Sequence, residues 1–244
     1  MEFSVEAWSA FAPGVATADE WRAWAHAPWP PQGEQVPALA EMPAMQRRRV
    51  DRLGRMALQV AWDCQPDAAT PLPLVFASRH GDLPRTYSML GELARGEPLS
   101  PTHFGLSTHN AIAAQYSIAR AQTGNYLAVS GGAESAEAAV VEALGLLADG
   151  APAVLVVMYD ERTPDGYAGY RDEPEADYAW AWRVVPARDG LPRLSLDVAG
   201  PADGAAAAGP GDGLPHGLAV LRFFLAGEAA LTAPVSGRRW HRHA

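Results

Sequence analysis

The chain has 244 residues, 48% hydrophobic and 19% charged, which supports a sizeable core and excludes a disordered or fibrous protein. Its net charge is −9 and all 19 basic residues are arginine; the acidic balance argues against a nucleic-acid coat or an anionic-membrane binder, both of which need a basic surface. The one cysteine, Cys64, excludes a disulfide framework and a cysteine-rich zinc site, and with no leader-like start and no apolar run of about eighteen residues the expectation is a cytoplasmic protein without a membrane span.

In chain order, residues 3–11 alternate enough apolar side chains for a strand, which Ala12, Pro13 and Gly14 end. Thr17 and Glu20 form a capping box ahead of Trp21, Trp24 and Ala25, so a helix begins there. Residues 28–37 are Pro-rich and irregular. Across 42–64, Met45, Val50, Leu53, Met56, Ala57, Val60 and Ala61 recur at three and four residues, predicting one helix opened by a basic cluster of Arg47, Arg48, Arg49 and Arg52. Residues 72–77 read as a buried strand, and 84–95 as a helix. Beyond the breakers Pro98 and Pro101, residues 107–123 predict another helix, stopped by Gly124.

Residues 125–129 form a strand that runs through Ser130, Gly131 and Gly132 into a helix over 133–148, and Gly150 leads to an apolar strand at 153–159. This is a βαβ unit. Residues 176–185 and 191–198 predict a hairpin, 199–213 a low-complexity flexible loop, 214–230 a helix and 231–241 a final strand. The alternation predicts an α/β fold, with helices layered on a mixed, mostly parallel sheet in one domain spanning 1–244.

Several constellations could carry chemistry. Ala128, Ser130 and Gly132 make a variant of the nucleophile elbow, with Asp197 and His216 following in the order a hydrolase or thioesterase needs. The plainer reading has the glycines turn the chain and Ser130 cap the helix. His103 and His109 lie near Ser100 and Ser107, and His241 and His243 share one face of a strand, but two ligands do not make a metal site and none is expected. Asp160 and Glu161 end a strand, where they are an acid–base pair or ordinary loop residues. Arg47, Arg48 and Arg49 meet an acidic partner or phosphate, or form a solvated face.

The block of Ser100, Pro101, Thr102, His103 and Phe104, then His109, Asn110 and Ala111, then Gly124, a strand, Gly132, Ala133, Glu134 and Ser135, and a helix ending at Gly150, resembles the N-terminal half of a β-ketoacyl synthase of the thiolase-like superfamily. The likeness covers residues 1 to about 161 and implies a thiolase-like half-fold. In that family the turn between strand and helix carries the acyl-accepting cysteine. Anchoring on Gly124 and Gly150 puts it at Ala133, so the resemblance implies a chain without that nucleophile. The resemblance further implies that the second half, which in the family supplies two catalytic histidines, is missing. Short chains of this kind resemble the chain-length factors of aryl polyene and related pigment pathways.

The implied function is a non-catalytic subunit that pairs with a complete β-ketoacyl synthase, or with itself, and meets acyl carrier protein indirectly, with no cofactor. The resemblance marks Asn125, Tyr126, Leu127 and Val129 as interface residues, because the family dimerises through this strand, and Phe104, Ile112, Tyr116 and Ile118 as acyl-pocket wall residues. Core packing is the competing role for each of the four.

Overall fold

The structure is a computed structural model describing residues 1–65, 67, 71–197 and 213–243. Its long first strand, β1 (Glu2–Phe11), is followed by helix α1 (Ala18–His26), where the Thr17–Glu20 capping box forms as the sequence predicts. The single helix expected over 42–64 is two, α2 (Ala44–Arg47) and α3 (Arg52–Cys64). Asp51 divides them: its carboxylate accepts from the Gly54 N–H and starts a new helix. Strand β2 (Leu74–Ala77) and helix α4 (Leu83–Ala94) follow.

Helix α5 (Pro101–Leu106) was not predicted, although Ser100 caps it and Pro101 occupies its first turn. Helix α6 (Ala111–Ala119) is shorter than the 107–123 expected. It ends because Ala121, at φ 51°, takes the left-handed conformation, so Gly124 is not its stop. Strand β3 (Tyr126–Val129), helix α7 (Ser135–Ala148) and strand β4 (Val154–Asp160) make the expected βαβ unit. A 3-10 turn (Asp165–Tyr170) precedes β5 (Tyr178–Pro186) and β6 (Arg193–Asp197). The predicted loop 199–213 lies outside the described residues except for Gly213. Helix α8 (His216–Ala226) ends at Gly227, which is left-handed at φ 71°. The expected final strand is a pair, β7 (Ala230–Thr232) and β8 (Arg239–His243).

Among the described residues, eight strands form one sheet in the order β3-β2-β4-β5-β1-β6-β8-β7. Two expectations need correction. The sheet is mostly antiparallel, because among the described strands only β2 pairs in parallel, with β3 and with β4; parallel neighbours need long crossovers, which α4 to α6 supply between β2 and β3, and α7 between β3 and β4. Moreover, β5 and β6 are not a hairpin, since β1 lies between them and pairs with both. The link between β5 and β6 steps across β1, held where Arg188 N–H donates to Ser4 Oγ at 3.0 Å.

Alternation along the strands divides the core into two faces. Val75 and Ala77 of β2, with Trp180 and Trp182 of β5, pack under α1, α7 and α8. Leu74, Phe76, Ala179 and Ala181 face α3 and α6. Small residues of β5 let α3 lie close on one side, while its tryptophans fill the other. Among the described residues no helix is long and apolar enough to cross a membrane.

Candidate functional site

The turn from β3 into α7 is built by two glycines with different jobs. Gly132 has φ 62°, which a side chain resists. At Gly131 a Cβ would lie 2.9 Å from the Glu134 carbonyl oxygen and 3.2 Å from the Ala138 Cβ. Ser130 does not cap the helix; its exposed hydroxyl donates to the Arg79 carbonyl at 3.1 Å. Ser135 ties the turn instead, accepting from Gly131 N–H at 3.0 Å and donating to the Gly132 carbonyl at 2.8 Å. Ala133, half-buried, brings no reactive atom.

Cys64 cannot stand in for a thiol at this turn. It is buried at the end of α3, on the sheet face opposite α7, with its Sγ 3.3 Å from the Ala181 carbonyl. Burial pushes its pKa well up, so it stays a neutral thiol.

Beside the turn, the carboxyl ends of β2 and β4 converge on Asp160. This half-buried carboxylate accepts from Ser78 Oγ at 2.7 Å and from Arg79 N–H at 2.9 Å. Burial outweighs these donors and pushes its pKa up to about 7. Burial likewise raises Glu161 to about 7, although Arg52 pairs with it at 3.1 Å. Arg79 pairs with Asp172 and Glu173, and Glu173 accepts from the His216 N–H at 3.2 Å, so it also serves the first turn of α8.

Two carboxylates at the start of α7 grip the C-terminal part of the chain. Glu134 Oε1 accepts from the Val235 N–H at 2.7 Å and the Ser236 N–H at 2.6 Å. Burial opposes ionisation of Glu134, but these donors prevail and hold its pKa below the usual carboxylate value. Glu137, only 1% exposed, accepts from Trp240 Nε1 at 2.7 Å and lies 2.6 Å from His216 Nε2. Sequence reasoning missed Glu137, although an acidic residue among small apolar ones, four positions after Ala133, is a legible sign of a buried contact.

The proposed hydrolase residues are not brought together. Ser130 bonds to Arg79, His216 meets Glu137, and Asp197 lies 3.6 Å from His241. His243 Nε2 is 2.9 Å from Ser195 Oγ, so the terminal histidines serve strand pairing. His109 donates from Nε2 to the Val129 carbonyl at 2.9 Å, steadying β3. His103 lines an open groove of about 430 Å³ with Asp51, Asp82, Arg85 and Glu161. In this groove burial, and then the neighbouring Asp51, raise the Asp82 pKa to about 6.

The basic cluster does not act as one surface. Arg52 turns inward to Glu161 and Asp177, and Arg47 donates to the Leu39 carbonyl at 3.0 Å, whereas Arg48 and Arg49 are exposed. Of the four wall residues, Ile112 and Tyr116 lie in the core under α3, while Phe104 is 62% and Ile118 67% exposed. Tyr126, Leu127 and Val129 are half-buried on β3, an outer strand of the sheet, and Asn125 is exposed just before it.

The family model for the N-terminal domain of β-ketoacyl synthases matches residues 21–242. The chain belongs to this family. The match extends well past residue 161, where the resemblance was expected to fade, and takes in β5, β6, α8 and the terminal strands. No curated protein matches the sequence at a significant level.

Among solved structures, a chain in the complex of the ketosynthase ApeO with its chain length factor ApeC from Xenorhabdus doucetiae is 25% identical, with a TM-score of 0.81 and full coverage of both chains. The ishigamide ketosynthase/chain length factor is 18% identical, with a TM-score of 0.60 over 81% of this chain and 68% of that one. A β-ketoacyl synthase from Burkholderia phymatum STM815 is 12% identical, with a TM-score of 0.61 over 93% and 70%. The fold is therefore the thiolase-like fold of ketosynthases.

Proposed function

We propose that this β-ketoacyl synthase-like chain is a non-catalytic subunit that pairs with a complete β-ketoacyl synthase and sets product length, as a chain-length factor of fatty-acid-like or aryl polyene biosynthesis in the cytoplasm. The observation that carries this reading is the alanine at position 133, in the glycine turn that opens α7, with Cys64 on the far side of the sheet. Without a thiol no acyl thioester forms there, and the chain contributes shape rather than a bond-making group.

Strand β3 supports pairing. Among the described residues it pairs with β2 on one side, and its other edge is open to strand addition by a partner. Each methylene of a growing acyl chain gains about 0.8 kcal/mol on burial until a wall stops it. A partner that moves the wall changes product length without chemistry. Phe104 and Ile118 are free to face such a partner. Acyl carrier protein is met indirectly, through the synthase.

Co-expression with ketosynthases encoded nearby, followed by size exclusion and product analysis, tests this reading. The expected result is a heterodimer whose product length changes when this subunit is exchanged, and no condensation by this chain alone. A monomer or homodimer indifferent to every ketosynthase would overturn it.

A further inference from the structure

We propose that Glu134 is a positioning residue that straps the turn between β7 and β8 onto the start of α7, shielding position 133 from acyl donors. The inference rests on Ala133 being the nucleophile position. In this arrangement the missing thiol is one of two blocks to catalysis, and the strap is the other.

Two successive backbone N–H groups, Val235 and Ser236, converge on one oxygen of Glu134 at 2.7 and 2.6 Å. Bonds to an ionised carboxylate are stronger than neutral ones, and paired backbone donors form a concave anion nest. The turn they belong to is closed on itself. Ala233 N–H donates to the Arg238 carbonyl at 2.8 Å, and Gly237 takes the left-handed conformation at φ 68°.

A second grip lies one helical turn along. Glu137 accepts from the Trp240 indole at 2.7 Å, and Trp240 is itself paired through β8 to Leu196 of β6. Residues three apart share a helix face. Two grips so spaced fix both the distance of the hairpin from α7 and its position along the helix axis, where one alone would leave it free to pivot. The Glu134 carboxylate has a further effect: a negative charge next to position 133 opposes an anion at the helix N-terminus that would otherwise favour one.

The test uses the full chain alone, with A133C as a reporter thiol, S130C as an exposed reference on the same turn and buried Cys64 as an unreactive internal control. Limiting alkylation rates by iodoacetamide are compared at high pH, where both thiols are ionised and the charge on Glu134 no longer sets the thiolate fraction. The A133C thiol is expected to react about tenfold or more slower than S130C, and A133C/E134A to recover most of that loss. Amide exchange at Val235 and Ser236 should quicken about tenfold or more in E134A, while exchange in β4 is unchanged. E134Q, which keeps the acceptor oxygen but not the charge, should retain most of the protection.

An A133C thiol as reactive as S130C overturns the strap, as do Val235 and Ser236 amides that exchange alike in wild type and E134A. If E134A does not fold, the comparison of A133C with S130C decides. No ketosynthase enters these measurements, so a chain that pairs with a synthase but has a reactive A133C loses the strap and keeps the proposed function. A protected A133C in a chain that ignores every synthase is the reverse.

Discussion

Ser78 Oγ donates to Asp160 Oδ1 at 2.7 Å, linking the carboxyl ends of the parallel strands β2 and β4 next to the glycine turn. Asp160 is half-buried there, and desolvation makes it bind its proton up to about pH 7, whereas its ordinary pKa is 3.8. Between those values the folded state holds more protons than the unfolded one, so this group's contribution to stability is greatest at low pH and is lost as pH rises through the window. Glu161, raised from 4.5 to about 7, acts in the same direction. The urea midpoint is therefore expected to fall between pH 5 and pH 8, and D160N to flatten that slope. A wild-type midpoint that rises over this range contradicts the assignment.

Gly217, in the first turn of α8, sits against the buried Tyr178 hydroxyl, and a Cβ there would overlap that oxygen and approach the Met158 methyl at 3.1 Å. The Gly217 carbonyl also accepts from Trp180 Nε1 at 2.9 Å, so the helix cannot back away without breaking a buried bond. G217A is expected to lose about 1–3 kcal/mol by overpacking, against a gain of under about 1 kcal/mol from helix propensity. Chemical denaturation measures the difference; a stabilised G217A would show that the contact yields.

The four wall residues should separate into two classes. Tyr116 is fully buried, packs edge-on to Trp62 at 5.1 Å and has its hydroxyl 3.3 Å from the Ala61 carbonyl. Y116A should cost about 3–5 kcal/mol and I112A about 2–5 kcal/mol. F104S and I118S should change stability by no more than about 0.5 kcal/mol, because these side chains face solvent in the isolated chain. On the proposed function, their effect is expected in the complex, as a shift in product length or weaker pairing. Thermal melts of the four variants, with product profiles of the two stable ones, check both halves. Product lengths indifferent to F104S and I118S would remove these residues from the acyl wall.

The elements legible in the sequence were those with local causes. The Thr17–Glu20 box, the β3–α7–β4 unit and the buried strand β2 follow from capping, period and small-residue turns. The errors arose where partners far along the chain decide. Residues 176–198 have the alternation of a hairpin, but register is set by what lies on either side, and β1 takes both edges. Ala121 in the left-handed region shows no mark in the sequence, because only surrounding packing holds a non-glycine residue there. At the site, it is the family resemblance, anchored on Gly124 and Gly150, that points to Ala133 as the nucleophile position. The grips of Glu134 and Glu137 were not legible, because their partners lie about a hundred residues away.

The open edge of β3 gives the sharpest test of partnership. Leu74 N–H donates to the Asn125 carbonyl and Ser78 N–H to the Val129 carbonyl. In a parallel ladder alternate residues bond a given neighbour. The odd-numbered residues of β3 therefore serve β2, and the N–H groups of Tyr126 and Ala128 point to the unpaired side. A proline at 128 removes one outward donor and leaves the bonds to β2 intact, a position where edge strands tolerate proline. A128P is thus expected to fold with a midpoint near wild type and, on the proposed function, to lose co-elution with a ketosynthase that the wild-type chain binds. L127P, which removes an inward N–H, should destabilise the chain itself by about 1–3 kcal/mol through the unsatisfied Leu74 carbonyl. If A128P still pairs with wild-type affinity, the partner does not add a strand to β3, and the docking surface lies elsewhere on the fold.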